Sequence, residues 1–300
     1  MKLGLLLNRG LSSAGESTQE IAAALKGRGH SVLPLPIQEL ELSQRGRLLS
    51  GEQDLNELDA VLIRTSPGRD RARGQAHHLA LDLLARLDGP LVLNNPRALQ
   101  RTGSKLWLTD LPEELRPLTW MTRSPDRVRS ILSELGEVVV KPLTGSGGRG
   151  VVRLDSARAD QASAIVELLA EQGPVLVQEV LPGAEEGDIR VLVLGGRVLG
   201  AVRRRPGSGE FRSNVSRGGQ PEEARLSRDQ QRAVRALAQE VHRAGIWLAG
   251  LDLIGTKAVE INVFSPGGFA DAGGFVGRDL IRDLCDNFEQ RVKTWKRTGT

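Results

Sequence analysis

The first hundred residues alternate between short apolar runs and segments in which apolar positions recur with helical spacing. The runs 2–7, 31–35, 59–64 and 90–95 predict strands, and helices are predicted over 17–27 and 74–87. Such alternation is typical of an open parallel α/β sheet. Ligands of these sheets bind beyond the carboxyl ends of the strands, where segments 8–10 and 64–66 fall. Ordinary loop chemistry explains these two segments equally well.

The middle of the chain predicts a different order of elements. A helix is predicted over 96–108 with Lys105 on it, followed by a strand over 115–122 and a helix from 125 to 135. The run 138–152 predicts a strand that ends at Lys141, a glycine-rich loop and a second strand. A helix over 160–172 and a strand over 175–183 complete this region.

The last third predicts two hairpins and two long helices. The first hairpin spans 188–202 and turns at Gly195 and Gly196, and the second spans 248–263 and turns at 255–257. Between the hairpins, segment 203–219 has many arginines and no apolar period, which predicts a mobile loop. Amphipathic helices are predicted over 227–244 and 277–296.

The second hairpin carries a candidate metal site. Glu260 and Asn262 are two residues apart and therefore share one face of a strand, and the hairpin brings Asp252 towards them. Two carboxylates and an amide oxygen are hard ligands that suit magnesium bound beside a phosphate. Taken alone, the three residues fit a solvated edge hairpin about as well.

The loop after Lys141 is a candidate anion-binding loop. Its glycines, Gly145, Gly147 and Gly148, allow backbone amides to surround an anion, and the lysine supplies a positive charge. No Lys-Ser or Lys-Thr pair follows the last glycine, as a Walker loop requires, and no helix begins behind the loop, as a dinucleotide fingerprint requires. A plain glycine-rich turn remains the alternative.

Composition narrows the class of protein. A chain of 300 residues can form two or three packed domains, and its hydrophobic share of 39% is ordinary. It contains no apolar run of about 18 residues, which predicts that no membrane is a partner. The apolar start ends at Asn8, too early for a signal peptide, and the single cysteine, Cys285, excludes an internal disulfide. We therefore expect a cytoplasmic protein.

Charge favours anionic small molecules over nucleic acid. The net charge is +4, and basic residues are interspersed with acidic ones apart from Arg203, Arg204 and Arg205. Aromatic residues make up 3% of the chain and tyrosine is absent, so side chains on which bases could stack are scarce. We expect no nucleic-acid partner and a preference for anionic substrates.

Four motifs follow one another in a fixed order. They are Lys-Pro-Leu-x-Gly-x-Gly-Gly from 141, Gly-Asp-x-Arg-Val-Leu-Val from 187, Arg-x-Asn-x-x-x-Gly-Gly from 212, and Gly-Leu-Asp-x-Ile-Gly…Glu-Ile-Asn-Val-x-Ser-Pro from 250. With them the sequence resembles the ATP-grasp superfamily and, within it, the prokaryotic glutathione synthetase family. The resemblance covers residues 1–266 and is closest over 138–266. It implies an ATP-grasp fold of the α/β class, α+β in its lid, behind an N-terminal open parallel α/β domain.

The resemblance also implies a division into domains. An N-terminal parallel α/β substrate-binding domain would span 1–97, and an ATP-grasp domain would span 98–300. The latter would contain a lid subdomain at about 118–182 and a C-terminal catalytic subdomain at about 183–300. The tetramers of the family imply a homo-oligomer, either a dimer or a tetramer.

The resemblance further implies a role for each motif residue. The residues that would contact the ATP phosphates are Lys105, Lys141, Gly145, Gly147 and Gly148. The residues that would line its adenine are Gln178, Glu179, Val180 and Leu181, and Asp188 would lie near its ribose and triphosphate. Mg²⁺, or Mn²⁺ in its place, would be held by Asp252, Glu260 and Asn262. Arg190 and Arg204 would act in catalysis, and Arg212, Asn214, Gly218, Gly219 and Ser265 would face the substrates.

The implied reaction joins a carboxylate to an amine through an acylphosphate, with ATP consumed. γ-Glutamylcysteine and glycine are the leading substrates. The sequence departs from the family's Thr-Ser-Pro-Thr type run at Phe264 and Gly267, and from its Lys-Asp-Pro-Pro type run at 65–68. These departures keep open another acid and amine pair, as in a glutamate-adding or dipeptide-forming ligase. A non-catalytic nucleotide-binding protein is the third reading, and the retained lysines and carboxylates count against it.

Overall fold

The computed structural model describes residues 1–67, 74–143, 149–156, 163, 166–167, 169–170, 173–207 and 219–299. Its strands are β1 (Lys2–Leu7), β2 (Ser31–Pro36), β3 (Leu40–Leu42), β4 (Leu48–Ser50), β5 (Gln53–Asp54), β6 (Ala60–Ile63), β7 (Leu91–Leu93), β8 (Thr119–Thr122), β9 (Glu137–Pro142), β10 (Val152–Asp155), β11 (Val175–Glu179), β12 (Asp188–Leu194), β13 (Arg197–Arg205), β14 (Gln220–Glu223), β15 (Leu248–Ile254) and β16 (Lys257–Asn262). Its α-helices are α1 (Glu16–Gly27), α2 (Gly74–Leu84), α3 (Pro96–Thr102), α4 (Pro125–Leu135), α5 (Arg228–Arg243), α6 (Phe269–Val276) and α7 (Leu280–Thr298).

The N-terminal sheet has the strand order β2-β1-β6-β7, and all its pairs are parallel. Strand β1 is apolar on both faces, and its residues from Leu3 to Leu7 are buried. A parallel sheet needs such strands because elements pack on both of its sides. The predicted parallel sheet is therefore confirmed. A small antiparallel sheet of β3, β4 and β5 lies between β2 and β6 in the chain.

The middle sheet has the order β10-β9-β11-β8, and all its pairs are antiparallel. Helix α4 covers it, beginning after Ser124, whose hydroxyl accepts from the amide of Arg127, and ending at Gly136 with φ of 78°. Val128 and Ile131 of this helix pack with Val138 and Val177 of the sheet in a small core of their own.

The C-terminal sheet has the order β14-β13-β12-β15-β16 and is antiparallel throughout. Its central strand β12 is buried along its whole length. Helix α5 packs on this sheet with the predicted residues Val234, Leu237 and Val241 buried. Its first turn is closed by a capping box between Ser227 and Gln230.

The N-terminal and C-terminal sheets share two buried cores. Val61 and Ile63 of β6 belong to the same buried cluster as Val191 of β12 and Leu251 of β15. The side chain of Asn94, which follows β7, connects the two sheets through hydrogen bonds. Its amide group donates to the carbonyls of Leu248 and Val263 at 2.8 and 2.6 Å. Its oxygen accepts from two amides, those of Trp247 and Leu248, both at 2.8 Å.

The structure corrects the helix predicted over 96–108. Helix α3 ends at Thr102, and Lys105 lies on a separate 3₁₀ helix, Lys105–Asp110. The hydroxyl of Ser104 caps that second helix by accepting from the amide of Leu106. At Gly103, an added Cβ would lie 2.8 Å from the ring of Phe264, so the break coincides with a close approach of two segments.

Other boundaries also differ from the predictions. The strand predicted over 115–122 begins at Thr119, and the strand predicted over 175–183 ends at Glu179. The helix predicted over 277–296 is preceded by α6, which ends at Gly277 with φ of 64°, while α7 begins after Asp279. The predicted loop 203–219 begins too early, because strand pairing with β14 extends β13 through Arg205. Strand β16 ends at Asn262. Residues 144–148 of the glycine-rich loop and most of the helix predicted over 160–172 lie outside the described residues.

Among the residues that the structure describes, no helix is long and apolar enough to cross a bilayer.

Candidate active site

The candidate metal residues meet on the last hairpin. Strands β15 and β16 are joined by a turn at Gly255, where φ is 58°. Asp252 pairs directly with Glu260 across the hairpin, and the amide nitrogen of Asn262 lies 3.3 Å from Oδ2 of Asp252. The structure thus brings the two carboxylates and the amide together. The strand alternation is imperfect here, because a bulge at Val259 separates the pair Asp252–Glu260 from the pair Leu253–Ala258.

Two lysines converge on the same hairpin. Nζ of Lys105 lies 3.6 Å from Oε1 of Glu260, and Nζ of Lys141 donates to the carbonyl of Val259 at 3.2 Å. Burial lowers the pKa of Lys141 to about 8, and the nearby charge of Glu260 opposes that shift. A phosphate placed between the lysines would supply the anion that favours their charged forms.

A buried network of arginines and aspartates lies behind the hairpin. Arg190 holds Asp252 through two bonds, from Nε to Oδ1 at 2.5 Å and from Nη2 to Oδ2 at 3.0 Å. Arg204 holds Asp188 in the same way at 2.7 and 2.6 Å, and its Nη2 lies 3.1 Å from Oδ1 of Asp252. Burial would raise the pKa of Asp252, yet the two guanidinium groups keep that pKa below its usual value. The carboxylate therefore stays ionised.

The segment expected to line adenine follows β11. Gln178 is buried and donates from Nε2 to Oγ1 of Thr119 at 2.9 Å. Oε1 of Glu179 accepts from Nζ of Lys257 at 2.7 Å and from the amide of Leu118 at 3.0 Å. The side chains of Gln178 and Glu179 are thus held within the protein. Val180 is half-buried and Leu181 is buried.

A cleft of about 300 Å³ opens at the carboxyl ends of β1 and β6. Arg64 lies at its base, with Nε donating to Oγ1 of Thr18 at 3.0 Å and Nη2 donating to the carbonyl of Pro266 at 3.0 Å. Its third nitrogen, Nη1, is buried and has no hydrogen-bond partner among the residues that the structure describes. Ser66 and Ser265 also line the cleft. A buried guanidinium with a free donor suits the carboxylate or phosphate of a ligand.

The remaining predicted positions are only partly described. Ser265 lies at the cleft, with its hydroxyl 3.5 Å from that of Thr18. Gly219 is buried immediately before β14. Positions that lie outside the described residues are Gly145, Gly147, Gly148, Arg212, Asn214 and Gly218.

The donor set fits a divalent cation held beside phosphate. Glu260, Asn262 and Asp252 offer the hard oxygen donors that such ions prefer, but only two of the three are carboxylates. Within the described residues no group of three or more His, Cys, Asp or Glu side chains is arranged to hold a metal. Phosphate oxygens of the nucleotide would therefore have to complete the coordination shell. Asp252 would serve both the metal and Arg190, since a carboxylate has more than two acceptor positions.

The sequence places Arg64 in segment 64–66 at the ligand-binding edge of the sheet, but it does not indicate that two other residues of this region belong to the site. They are Asn94 with its four hydrogen bonds, and His77, which is 2% exposed on α2. A signal for His77 exists in the sequence, because it lies three, four and seven residues before the buried Ala80, Leu81 and Leu84. A polar residue at a core position of a helix requires a partner.

The parallel sheet, the two antiparallel sheets and the lysine-carboxylate hairpin together define an ATP-grasp fold. Solved structures agree with this. D-cycloserine synthetase DcsG matches with a TM-score of 0.74 and 18% identity, covering 97% of this chain and all of that one. The ATP-grasp ligase PsnB, complexed with a minimal precursor, matches with a TM-score of 0.68 and 22% identity, over 95% of this chain and 97% of that one. The predicted fold class is confirmed.

Sequence comparisons identify the family within this fold. The profile described as "Prokaryotic glutathione synthetase, ATP-grasp domain" matches residues 104–274. The glutathione synthetase of Parasynechococcus marenigrum (strain WH8102) is 38% identical over 81% of this chain and 77% of its own. That of Agrobacterium fabrum is 29% identical over 94% of this chain and 93% of its own. The chain belongs to the prokaryotic glutathione synthetase family, and it is an ATP-dependent carbon–nitrogen ligase that uses a divalent metal.

Proposed function

We propose that the protein joins γ-glutamylcysteine to glycine at the expense of ATP. The observation that carries this proposal is the convergence of Lys105, Lys141 and the Asp252–Glu260 pair on one hairpin. This arrangement supplies the positive charge that phosphoryl transfer needs, next to carboxylates suited to a metal. The relatives that match most of the chain carry the name of this activity.

The proposed reaction has two steps. In the first, an oxygen of the acid substrate's carboxylate attacks the γ-phosphorus, the bond to the β–γ bridging oxygen breaks, and an acylphosphate and ADP form. In the second, the amine nitrogen attacks the acyl carbon, the C–O bond to phosphate breaks, and the amine loses a proton. Positioning and charge neutralisation dominate phosphoryl transfer, so acid–base groups are not essential to the first step.

The residues of the chain divide this work between them. Lys105 and Lys141 bind the ATP phosphates, and Arg190 and Arg204 stabilise the charge that develops at the reacting groups. A bound Mg²⁺ (or Mn²⁺) on Asp252, Glu260 and Asn262 would act as a Lewis acid on the phosphates. Adenine binds along 178–181 with Asp188 near the ribose and triphosphate, and the glycines of 145–148 cover the phosphates. The residues that face the substrates are Ser265, Gly219, Arg212, Asn214 and Gly218.

The cleft at Arg64 is the proposed place for the acid substrate. Nη1 of Arg64 is buried and has no partner within the described part of the chain, so a substrate carboxylate would gain a charge-assisted hydrogen bond there. This assignment gives the N-terminal region, residues 1–97, its role as a substrate-binding domain. The ATP-grasp domain then spans 98–300, with the middle sheet in the lid subdomain, about 118–182, and the C-terminal sheet in the catalytic subdomain, about 183–300.

The test is a substrate panel with ADP release as the readout. The enzyme is incubated with ATP and MgCl₂ together with γ-glutamylcysteine and glycine, and the product is identified by mass. We expect ADP and glutathione in equal amounts. ADP no higher than in the control without the acid substrate would contradict the proposal. Replacement of Mg²⁺ by Mn²⁺ in the same assay identifies the metal that is used.

A second ligase activity is favoured by one observation. Phe264 and Gly267 are close in the chain to Ser265, which lines the cleft, and the family usually has threonines at these two positions, so the acid or the amine joined here can differ. The panel therefore includes glutamate as donor or acceptor and simple dipeptides. ADP release with one of these pairs, and none with γ-glutamylcysteine and glycine, would select a glutamate-adding or dipeptide-forming ligase.

The proposal extends to the setting of the enzyme. Its substrates are small molecules, it works in the cytoplasm without a nucleic-acid partner, and it forms a homodimer or a homotetramer. The buried thiol of Cys285 is compatible with a reducing compartment. Light scattering coupled to size-exclusion chromatography gives the mass of the assembly, and a mass of 32.5 kDa would contradict the oligomer.

A further inference from the structure

The two places where this sequence departs from its family meet on one buried histidine. Thr65 follows Arg64 at the end of β6, and its Oγ1 shares a hydrogen bond of 2.7 Å with Nε2 of His77. Phe264 follows β16, and its ring lies edge-on to the imidazole of His77 with 4.8 Å between centroids. Positions 65 and 264 are 199 residues apart in the chain, and the sequence alone does not indicate that they share a neighbour.

His77 is neutral in the folded protein. Burial, and to a lesser degree the neighbouring His78, lower the pKa of His77 to about 4. At neutral pH the imidazole therefore acts as a hydrogen-bond partner and a packing surface rather than as a charge. Thr65 is fully buried, so the hydrogen bond between the two residues has no competition from solvent.

The segment after β16 is fixed at several consecutive residues. The carbonyl of Val263 accepts from Asn94, and the ring of Phe264 packs on His77. After Ser265, the carbonyls of Pro266 and Gly267 accept from Arg64 at 3.0 Å and from Arg190 at 3.1 Å. The segment 263–267 is thus held rigidly on one side of the cleft. The residues that hold it belong to the N-terminal region and to the C-terminal sheet.

Both segments that contact His77 reach the cleft. Arg64 and Ser66 flank Thr65, and Ser265 follows Phe264; all three line the cleft. A change at His77 would move the two walls relative to each other, although His77 itself does not line the cleft. By contrast, the contacts of Lys105 and Lys141 on the last hairpin are made with Glu260 and Val259 and do not involve His77.

We propose that His77 is a positioning residue that sets the width of the acid-binding cleft by holding Thr65 on one wall and Phe264 on the other. This proposal rests on the proposed function, in that the cleft is taken to receive a carboxylic-acid substrate. His77 fixes Arg64 through the adjacent Thr65, so that Nη1 of Arg64 faces the substrate carboxylate. Thr65, His77 and Phe264 are then specificity-determining residues of this chain.

The test compares variants that remove one contact at a time. Thr65→Val keeps the shape and removes Oγ1, His77→Leu removes the imidazole, and His77→Gln keeps a hydrogen-bonding group. His78→Gln is the matched control, since His78 is the next residue on α2 and is exposed. For each protein we measure the melting temperature, calorimetric binding of γ-glutamylcysteine without nucleotide, and KM for the acid and for ATP in the ADP assay.

We expect a specific loss of acid binding. Because a displacement of about 1 Å in a positioned group costs up to about a hundredfold, Thr65→Val and His77→Leu should weaken acid binding and raise its KM at least about tenfold. The KM for ATP should change less than about twofold, since the nucleotide contacts are separate. His77→Gln should recover part of the loss, and the double variant Thr65→Val/His77→Leu should be no worse than His77→Leu alone. His78→Gln should match the wild type.

The other outcomes are equally informative. If Thr65→Val and His77→Gln melt cooperatively but bind and use the acid as the wild type does, His77 has a structural role only and the proposal is overturned, while the ligase activity stands. A parallel rise in both KM values would also overturn it. If the wild type binds no acid of the panel and releases no ADP, the proposed function fails, and the cleft assignment fails with it.

Discussion

At the scale of single residues, the site depends on charges that are buried and paired. Asp252 is 1% exposed and is held by Arg190 and Arg204, whereas Glu260 is half-buried and lies near Lys105 at 3.6 Å. The sequence shows both carboxylates, but the difference in their surroundings depends on strand pairing. The two acids therefore should respond differently to the loss of their charge.

Glu260→Gln should abolish turnover and leave the fold intact. Loss of a group that only hydrogen-bonds to a metal ligand lowers metal affinity or activity about 10- to 100-fold. Loss of a direct ligand should therefore lower kcat/KM at least about a hundredfold. The melting temperature should change little, because the salt bridge to Lys105 is long and partly solvated. ADP release over a range of MgCl₂ concentrations checks this, and activity like that of the wild type would mean that Glu260 is no ligand.

Asp252→Asn should instead destabilise the protein. The substitution leaves Arg190 and Arg204 in a buried site with one carboxylate, that of Asp188, between them. Removing one partner of a buried ion pair costs about 3–5 kcal/mol of unfolding free energy. Denaturant unfolding of this variant beside Glu260→Gln measures the difference. Equal midpoints for the two variants would show that the buried network adds nothing to stability.

His77 should make stability depend on pH. The unfolded chain binds a proton on His77 near pH 6.5, whereas the folded chain binds it only near about 4. The stability contribution is therefore complete above pH 6.5 and is lost as the pH falls towards 4, which amounts to about 3 kcal/mol. The check is the difference in unfolding free energy between wild type and His77→Gln at pH 7 and at pH 4.5. A difference that does not change with pH would contradict the shift.

At the scale of elements, the sequence predicts features that depend on neighbouring residues, and it does not predict contacts between residues that are far apart in the chain. The hairpin of β15 and β16 follows from two apolar runs around Gly255, and the cap of α4 follows from Ser124 and Pro125. By contrast, nothing in the run 188–205 indicates that Arg190 faces Asp252, 62 residues later, because that contact depends on β12 pairing with β15. The helix break at Gly103 was missed for the same reason, since it reflects the ring of Phe264.

The capping box of α5 should stabilise the C-terminal sheet against which that helix packs. In Ser227→Ala the amide of Gln230 loses the hydroxyl that caps it, which costs about 1 kcal/mol of unfolding free energy. Ser133→Ala is a suitable control, because Ser133 is exposed in the interior of α4, where alanine favours the helix. Urea unfolding of both variants checks this. A smaller loss for Ser227→Ala than for Ser133→Ala would show that the cap is dispensable.

At the scale of the whole molecule, the described residues form two shared cores and one separate core. The shared cores join the N-terminal and C-terminal sheets, and Asn94 fastens these sheets together through 4 hydrogen bonds. The core of the middle sheet contains residues of 128–177 only. The buried core of the middle sheet is thus separate from the two shared cores, which is consistent with the proposed lid subdomain.

Amide hydrogen exchange should reveal this division. The amides of β9 and β11 should exchange through openings of lower free energy than those of β1, β12 and β15. The reason is that opening the middle sheet alone exposes fewer buried side chains to water. Addition of ATP analogue and Mg²⁺ should protect the middle sheet more than the others. Exchange of all three sheets at one common free energy would contradict the division.

The tryptophans give the middle sheet an optical signal of its own. The chain has 4 tryptophans and no tyrosine, so its near-ultraviolet emission comes from the indole rings. Trp120 lies on β8 and packs on the core of the middle sheet, whereas Trp247 is buried against Phe288 in the core shared by the other sheets. A protein that keeps Trp120 and has phenylalanine at the other three positions would report, by fluorescence alone, movements of the middle sheet.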